Sequence, residues 1–186
     1  RHARIIQANP NALQTGTRGA EGVNLNRAFR TKVHITYPQA QLLAEAVNDH
    51  PRMHTIFSIH QDMTETGGFY FYNSPRNKEV STRDSWFPRL KQRLLHAVVG
   101  SGFGLYNDID DADLGYAVVD GYCETPATGR FDRTFELWAA RKRHHPSINR
   151  TVLFEIPGKA PLQRKADLLA LIFRQFIDPY LEHTHK

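Results

Sequence analysis

The stretch Val152-Leu153-Phe154-Glu155-Ile156-Pro157 has the composition of a buried strand that carries one carboxylate near its end. A second apolar stretch, residues 53–59, has the same character and is followed directly by His60. Short runs rich in β-branched and aromatic residues are typical of strands. Each of these two predicted strands therefore leads to a side chain that can do chemistry.

Helical segments separate the predicted strands along the chain. Apolar residues that recur every three or four positions predict helices over residues 38–49, 84–99, 132–143 and 161–182. Further strands are predicted over residues 3–8, 68–72 and 114–120. Alternation of helices with apolar strands is typical of an α/β domain with a largely parallel sheet.

The composition indicates one globular domain. The chain has 186 residues, of which 40% are hydrophobic and 23% charged, as in folded soluble proteins. No apolar run reaches the roughly 20 residues that a membrane span needs. The net charge is +5, but the basic residues are scattered, so we expect neither a nucleic-acid nor a membrane partner. Cys123 is the only cysteine; it permits no internal disulfide and leaves the compartment open, with the cytoplasm favoured.

Polar side chains accompany the ends of several predicted strands. Asn9, His60 and Glu155 each lie at or just after such an end. Sites in α/β sheets gather at the carboxyl ends of strands, so these residues suggest a single site. His60 would be a metal ligand or a structural histidine. Glu155 would be a general base with a pKa raised by burial, or one half of a buried ion pair.

Residues 11–31 form a predicted long loop that contains glycines and two arginines. Arg18 and Arg27 offer planar guanidinium groups that fit a carboxylate or an oxyanion, and Asn26 adds an amide donor. Long loops in compact domains often carry function. The alternative is an ordinary solvated loop.

Together these elements resemble the zinc carboxypeptidases. The resemblance rests on Asn9-Pro10-Asn11-Ala12-Leu13-x-x-Gly16-x-Arg18, followed by Leu25-Asn26-Arg27-Ala28-Phe29. This element is closer still to the family's deacylase relatives, the aspartoacylase and succinylglutamate desuccinylase group. His60 and Glu155 follow in the family's order, with Glu155 before a proline and a final helix. The resemblance implies a zinc-exopeptidase fold over residues 1–186: a single catalytic domain with three helix/sheet/helix layers and a mostly parallel mixed sheet.

The resemblance also implies which residues hold the substrate. Asn26 and Arg27 would bind its free carboxylate, and Arg18 would polarise the scissile carbonyl and stabilise the oxyanion. A tyrosine on a mobile loop would contact the substrate; Tyr122 is the first candidate and Tyr116 the second. The substrate would be a peptide with a free C-terminus or, alternatively, an N-acyl amino acid.

For the metal, the resemblance implies that His60 is the third ligand of one Zn²⁺ ion and that Glu155 is the base that takes a proton from the attacking water. The family's other two ligands come from a His-x-x-Glu motif upstream, and none of the ten histidines here has a glutamate three positions later. A catalytic zinc needs three protein ligands. We therefore expect this chain to be the C-terminal part of a longer enzyme, truncated at its N-terminus and inactive alone. The alternatives are ligands from elsewhere, or a non-catalytic carboxylate-binding module.

Overall fold

A computed structural model describes residues 29, 38–50, 53–62, 68–75, 85–107, 117–124, 135–140 and 147–184. The predicted strand over residues 3–8 lies outside these described residues. Arg18, Asn26 and Arg27 also lie outside them, and so do Tyr116 and Asn9.

The described part of the chain contains both helices and strands. The helices are α1 (Pro38–Asn48), α2 (Phe87–Gly100), α3 (Phe135–Ala140), α4 (Leu162–Ile172) and α5 (Asp178–Thr184). The strands are β1 (Thr55–Asp62), β2 (Gly68–Pro75), β3 (Gly104–Leu105), β4 (Tyr122–Glu124) and β5 (Arg150–Pro157). The predicted helices are present, and so are the predicted strands over residues 53–59, 68–72 and 152–157. The predicted strand over residues 114–120 is wrong in its described part, where Val119 forms only an isolated bridge with Tyr122. The short strands β3 and β4 were missed because two or three residues carry no periodicity.

The strands form one mixed sheet in which β1, β5, β2 and β3 follow each other in space, and β4 also pairs with β2. β1 and β5 are parallel, and so are β2 with β3 and β2 with β4. β2 and β5 are antiparallel. The prediction of an α/β fold with a mostly parallel mixed sheet is confirmed.

Helices cover both faces of this sheet. One face carries Phe71 and Phe154, which pack in a buried cluster with α2, α4 and α5 through residues such as Leu94, Leu168 and Phe176. The opposite face carries Ile56, which packs against α1 and α3. Side chains alternate between the faces along each strand, so the register assigns every strand residue to one of the two layers.

Several element boundaries differ from the sequence prediction, including the end of β1 and the end of α2. β1 continues through His60 to Asp62, because β5 pairs with it along its whole length. α2 includes Gly100, and the residue that leaves the helix is Gly102, with a φ of 81°. Glycine adopts this left-handed conformation without strain.

The final helix is continuous but not uniform. A π-helical turn, Phe173–Ile177, separates α4 from α5, and it places Phe176 in contact with the rings of Phe71, Phe87 and Phe154. None of the helices in the described residues is both apolar enough and long enough to cross a membrane.

Candidate active site

His60 and Glu155 lie next to each other on the α1/α3 face of the sheet. The register pairs them across the parallel strands β1 and β5, so that their side chains project from the same face. His60 Nδ1 is 3.5 Å from Glu155 Oε1. Both residues are near the carboxyl ends of their strands, which is the edge of the sheet where the sequence predicts a site.

A third ionisable group, Glu136 of α3, completes this cluster. Glu136 Oε1 is 3.2 Å from His60 Nε2, so the imidazole ring lies between two carboxylates. The Glu136 side chain is only 6% exposed. Sequence reasoning missed this residue, because its helix has the pattern of an ordinary amphipathic segment.

The two carboxylates determine the charge of His60. Burial alone would lower the pKa of His60, but the contacts with Glu136 and Glu155 outweigh burial and raise it from 6.5 to about 10. Burial would likewise raise the pKa of Glu136, whereas His60 and the Ser58 hydroxyl lower it to about 2. Without a metal, His60 is therefore an imidazolium paired with an ionised Glu136 at neutral pH.

The pKa of Glu155 is shifted in the opposite direction from that of Glu136. Burial raises its pKa above 4.5, and the nearby carboxylates of Asp62 and Glu136 add to this, although His60 opposes it. Tyr70 faces Glu155 across the antiparallel β2–β5 pair, and its hydroxyl donates a hydrogen bond of 2.7 Å to Asp62. Burial raises the pKa of Tyr70, so this phenol stays neutral. Tyr70 and Asp62 were not among the predicted site residues.

The structure does not bring Tyr122 to this cluster. Tyr122 pairs with Phe71 in the β2–β4 ladder and packs with the cluster beneath α2, on the other face of the sheet. Its hydroxyl donates to Glu124 at 3.0 Å and accepts from Asn73 at 3.2 Å. Its predicted contact with substrate stays a prediction that this position does not support.

Phe29 is the one residue of the family-like element that the structure describes, and it packs on α3. Phe29, the last residue of Asn26-Arg27-Ala28-Phe29, is 1% exposed. Its ring lies 5.2 Å from that of Phe135 and 5.6 Å from that of Trp138, both on α3. The same short helix therefore contacts both His60, through Glu136, and Phe29.

The residue types in the cluster fit zinc, which binds imidazole nitrogens and carboxylate oxygens. The buried Glu136 oxygens also lack well-aligned hydrogen-bond donors among the described residues, as expected where a cation belongs nearby. However, the described ranges contain no group of three or more His, Cys, Asp or Glu side chains that could hold a metal ion. His60 can thus contribute one ligand, and the described residues do not complete the set.

The His60–Glu136 pair predicts a pH dependence for the stability of the metal-free protein. A raised histidine pKa stabilises the fold fully below pH 6.5 and progressively less as the pH rises to about 10. A lowered carboxylate pKa stabilises it above pH 4.5 and less as the pH falls to about 2. We therefore expect the urea midpoint of Glu136→Gln to lie furthest below that of the wild type at about pH 5.5. The difference between the two midpoints should be smaller at about pH 9.5. A gap that stayed constant over this interval would contradict the ion pair.

Comparisons with known proteins identify similar folds. No protein-family model matches the chain, and no curated protein matches it. Similar crystal structures include three that are each named as a "putative metallopeptidase". They come from Shewanella amazonensis SB2B (TM-score 0.61, 19% identity), Shewanella denitrificans OS217 (0.55, 23%) and Shewanella baltica OS155 (0.58, 19%).

Each match covers 86% of this chain but only 52–56% of the matched protein. The chain therefore spans about half the length of the structures it resembles. At these identities the likeness establishes the fold: this chain shares the α/β architecture of those three proteins.

Proposed function

We propose that this chain is part of a zinc-dependent hydrolase of the carboxypeptidase type, which cleaves an amide bond next to a free carboxylate. The observation that carries the proposal is the pairing of His60 with Glu155 at the carboxyl ends of two parallel strands, with Nδ1 and Oε1 3.5 Å apart. The names of the three similar structures agree with this reaction class.

His60 would be the zinc ligand that this part of the chain contributes, and the remaining ligands would come from outside the described residues. The ion would act as a Lewis acid that polarises a carbonyl and makes a water more acidic. His60 must lose a proton to bind a metal. Glu136 and Glu155 raise the pKa of His60, so they make metal binding weaker at low pH.

Glu155 would be the general base. Its side chain is 15% exposed, so the carboxylate is not sealed off from water. The raised pKa of Glu155 suits this role, because a base with a pKa closer to the working pH can both accept a proton and release it. Glu155 would take a proton from the attacking water and pass it to the leaving amine.

Arg18, Asn26 and Arg27 would hold the substrate. A bidentate guanidinium–carboxylate contact recognises a free carboxylate by charge and by shape. The position of Phe29 supports this assignment, because this residue, two after Arg27 in the sequence, packs on the helix that contacts His60.

Replacement of Arg27 should impair substrate binding more than turnover. We expect Arg27→Ala to raise KM about 10- to 100-fold with a smaller change in kcat, since a lost charge-assisted contact costs about 1.5–3 kcal/mol. Steady-state kinetics with a carboxylate substrate and with its amide would measure this. The amide should lose little from the substitution; equal losses for both substrates would rule out Arg27 as the carboxylate contact.

The proposed function is tested on the protein in its full natural length. Two kinds of measurement separate the alternatives. One is the zinc content of the protein, and the other is its hydrolytic activity against a C-terminal peptide bond and against an N-acyl amino acid. Stoichiometric zinc that is lost in His60→Ala, with peptide cleavage, supports the carboxypeptidase. Cleavage of the N-acyl amino acid alone indicates the deacylase. Carboxylate binding with neither zinc nor cleavage indicates a non-catalytic binding module, and the proposal then fails.

A further inference from the structure

Tyr70 forms a side-chain hydrogen bond that crosses the candidate site from one strand to another. Its hydroxyl, on β2, donates to Asp62 Oδ2, on β1, at 2.7 Å. β5 lies between these two strands in the sheet, so the phenol must reach over β5. In the register Tyr70 pairs with Glu155, and Asp62 pairs with Pro157 further along β5. The Tyr70 side chain therefore passes beside Glu155, on the face of the sheet from which Glu155 projects.

Packing fixes the ring of Tyr70 independently of its hydroxyl group. The residue is 7% exposed. Its ring centre lies 4.7 Å from that of Tyr106 and 5.6 Å from that of Tyr72, and aromatic rings attract each other at such distances. Tyr70→Phe should therefore keep the ring in place and remove only the hydroxyl group.

The Tyr70 hydroxyl has two carboxylates as neighbours but only one proton to donate. Directly opposed residues of an antiparallel pair have Cβ atoms about 4.5–5.5 Å apart, which brings the phenol next to the Glu155 side chain. Burial raises the pKa of Tyr70 and the charge of Glu155 adds to this, as expected of close neighbours. In the structure the proton goes to Asp62. A hydrogen bond to Glu155 instead would occupy a carboxylate oxygen that can otherwise accept from water.

We propose that Asp62 is a positioning residue of the candidate site: it accepts the hydroxyl proton of Tyr70 and thereby keeps this phenol from donating to Glu155. The Glu155 carboxylate then remains accessible as the proton acceptor for water. In this role Asp62 acts through Tyr70 and not on the reacting atoms. The catalytic meaning of the inference rests on the proposed function, whereas the choice of hydrogen-bond partner can be tested without metal or substrate.

NMR of the Tyr70 hydroxyl proton, in full-length protein freed of metal, reports which carboxylate it binds. Loss of the signal in Tyr70→Phe assigns it. We expect a protected signal in the wild type and in Glu155→Ala, because Asp62 accepts the proton in both. Asp62→Ala should keep a signal at a shifted frequency, because the hydroxyl then donates to Glu155. The double variant Asp62→Ala/Glu155→Ala should lose the signal.

Three results of this comparison would overturn the proposal. A wild type without a protected signal would exclude the hydrogen bond to Asp62. Loss of the signal in Glu155→Ala would show that Glu155 is already the partner, and loss in Asp62→Ala alone would show that the phenol does not turn to Glu155. Asp62 is only half-buried, at the end of β1. Should Asp62→Ala fail to fold, Asp62→Leu takes its place with the same expected results, because it keeps the volume and offers no acceptor.

Steady-state kinetics of the full-length enzyme test the catalytic consequence. Asp62→Ala should lower kcat about 10- to 100-fold, the factor that corresponds to breaking one hydrogen bond to a charged group. Adding Tyr70→Phe to Asp62→Ala should restore most of the lost kcat, a rescue that a purely structural role of Asp62 would not produce. Adding Tyr122→Phe instead is the matched control, since it removes a phenol hydroxyl on the other face of the sheet and should restore nothing.

The kinetic outcomes separate this inference from the proposed function. If Asp62→Ala/Tyr70→Phe is as slow as Asp62→Ala, or if Tyr122→Phe rescues equally, Asp62 does not act through the Tyr70 hydroxyl and the positioning role is excluded. If the wild type cleaves neither a C-terminal peptide bond nor an N-acyl amino acid, the proposed function fails. The NMR comparison then still decides whether Asp62 keeps the Tyr70 hydroxyl away from Glu155.

Discussion

Replacement of Glu155 by glutamine should nearly abolish catalysis while leaving the metal in place. In the full-length enzyme we expect kcat to fall about 10²- to 10⁴-fold, which is the usual contribution of a general base. Glutamine has almost the same shape as glutamate but cannot accept a proton from water. KM should change little and zinc should be retained, because this carboxylate holds neither the substrate's free carboxylate nor the metal in the proposed mechanism. Its loss removes one of the two groups that favour protonated His60 over metal-bound His60.

The control for this prediction is Glu182→Gln, at an exposed position on α5. It makes the same chemical change and should leave kcat within about twofold of the wild type, as expected for a surface substitution. Steady-state kinetics and metal analysis of both variants would check the prediction. If Glu155→Gln kept a substantial fraction of wild-type turnover, the base would have to be another residue.

The second large effect concerns the stability of the fold. Arg150, at the start of β5, is 1% exposed and lies on the face of the sheet opposite His60. Its Nη1 donates a hydrogen bond of 2.8 Å to Asn73 Oδ1, and its guanidinium carbon is 4.2 Å from the centre of the Phe87 ring. Arg150→Met should lower the free energy of unfolding by about 1–3 kcal/mol, the usual cost of leaving a buried acceptor without its donor.

The substitution would also remove a hydrogen bond from Asn73. Asn73 is fully buried and donates to Tyr122 and Glu124, so its carbonyl oxygen would lose a donor in the middle of this network. A typical domain is stable by only about 5–15 kcal/mol, and Arg150→Met should therefore show a much lower urea midpoint. Arg174→Met, at an exposed position, is the control and should change stability by less than about 0.5 kcal/mol. Similar midpoints for the two variants would show that the buried network adds little.

The local pattern of the chain was sufficient to place the principal elements. Apolar runs marked β1 and β5, and the spacing of apolar residues marked the helices, because both signals repeat over a full element. Where an element spans only two or three residues, as in β3 and β4, no period can be recognised, and pairing with β2 is what makes these residues strands.

The residues of the candidate site likewise fall into those that the sequence could identify and those that it could not. His60 and Glu155 could be identified from sequence because each interrupts an apolar strand near its end, where a polar side chain needs a reason to be present. Glu136 could not be identified, because its helix reads as an ordinary amphipathic segment. Only the packing of Trp138 and Ala139 against the sheet brings its carboxylate to His60.

The amino-acid sequence by itself determined the α/β class, the order of the main helices and strands, and the two strand-borne residues of the site. It did not determine which residues meet across the fold. The pairing of β1 with β5 puts His60 beside Glu155, and strand alternation puts Tyr122 on the far face of the sheet. Those outcomes depend on register and on the docking of α3, which are contacts between segments distant in sequence and leave no local pattern to read.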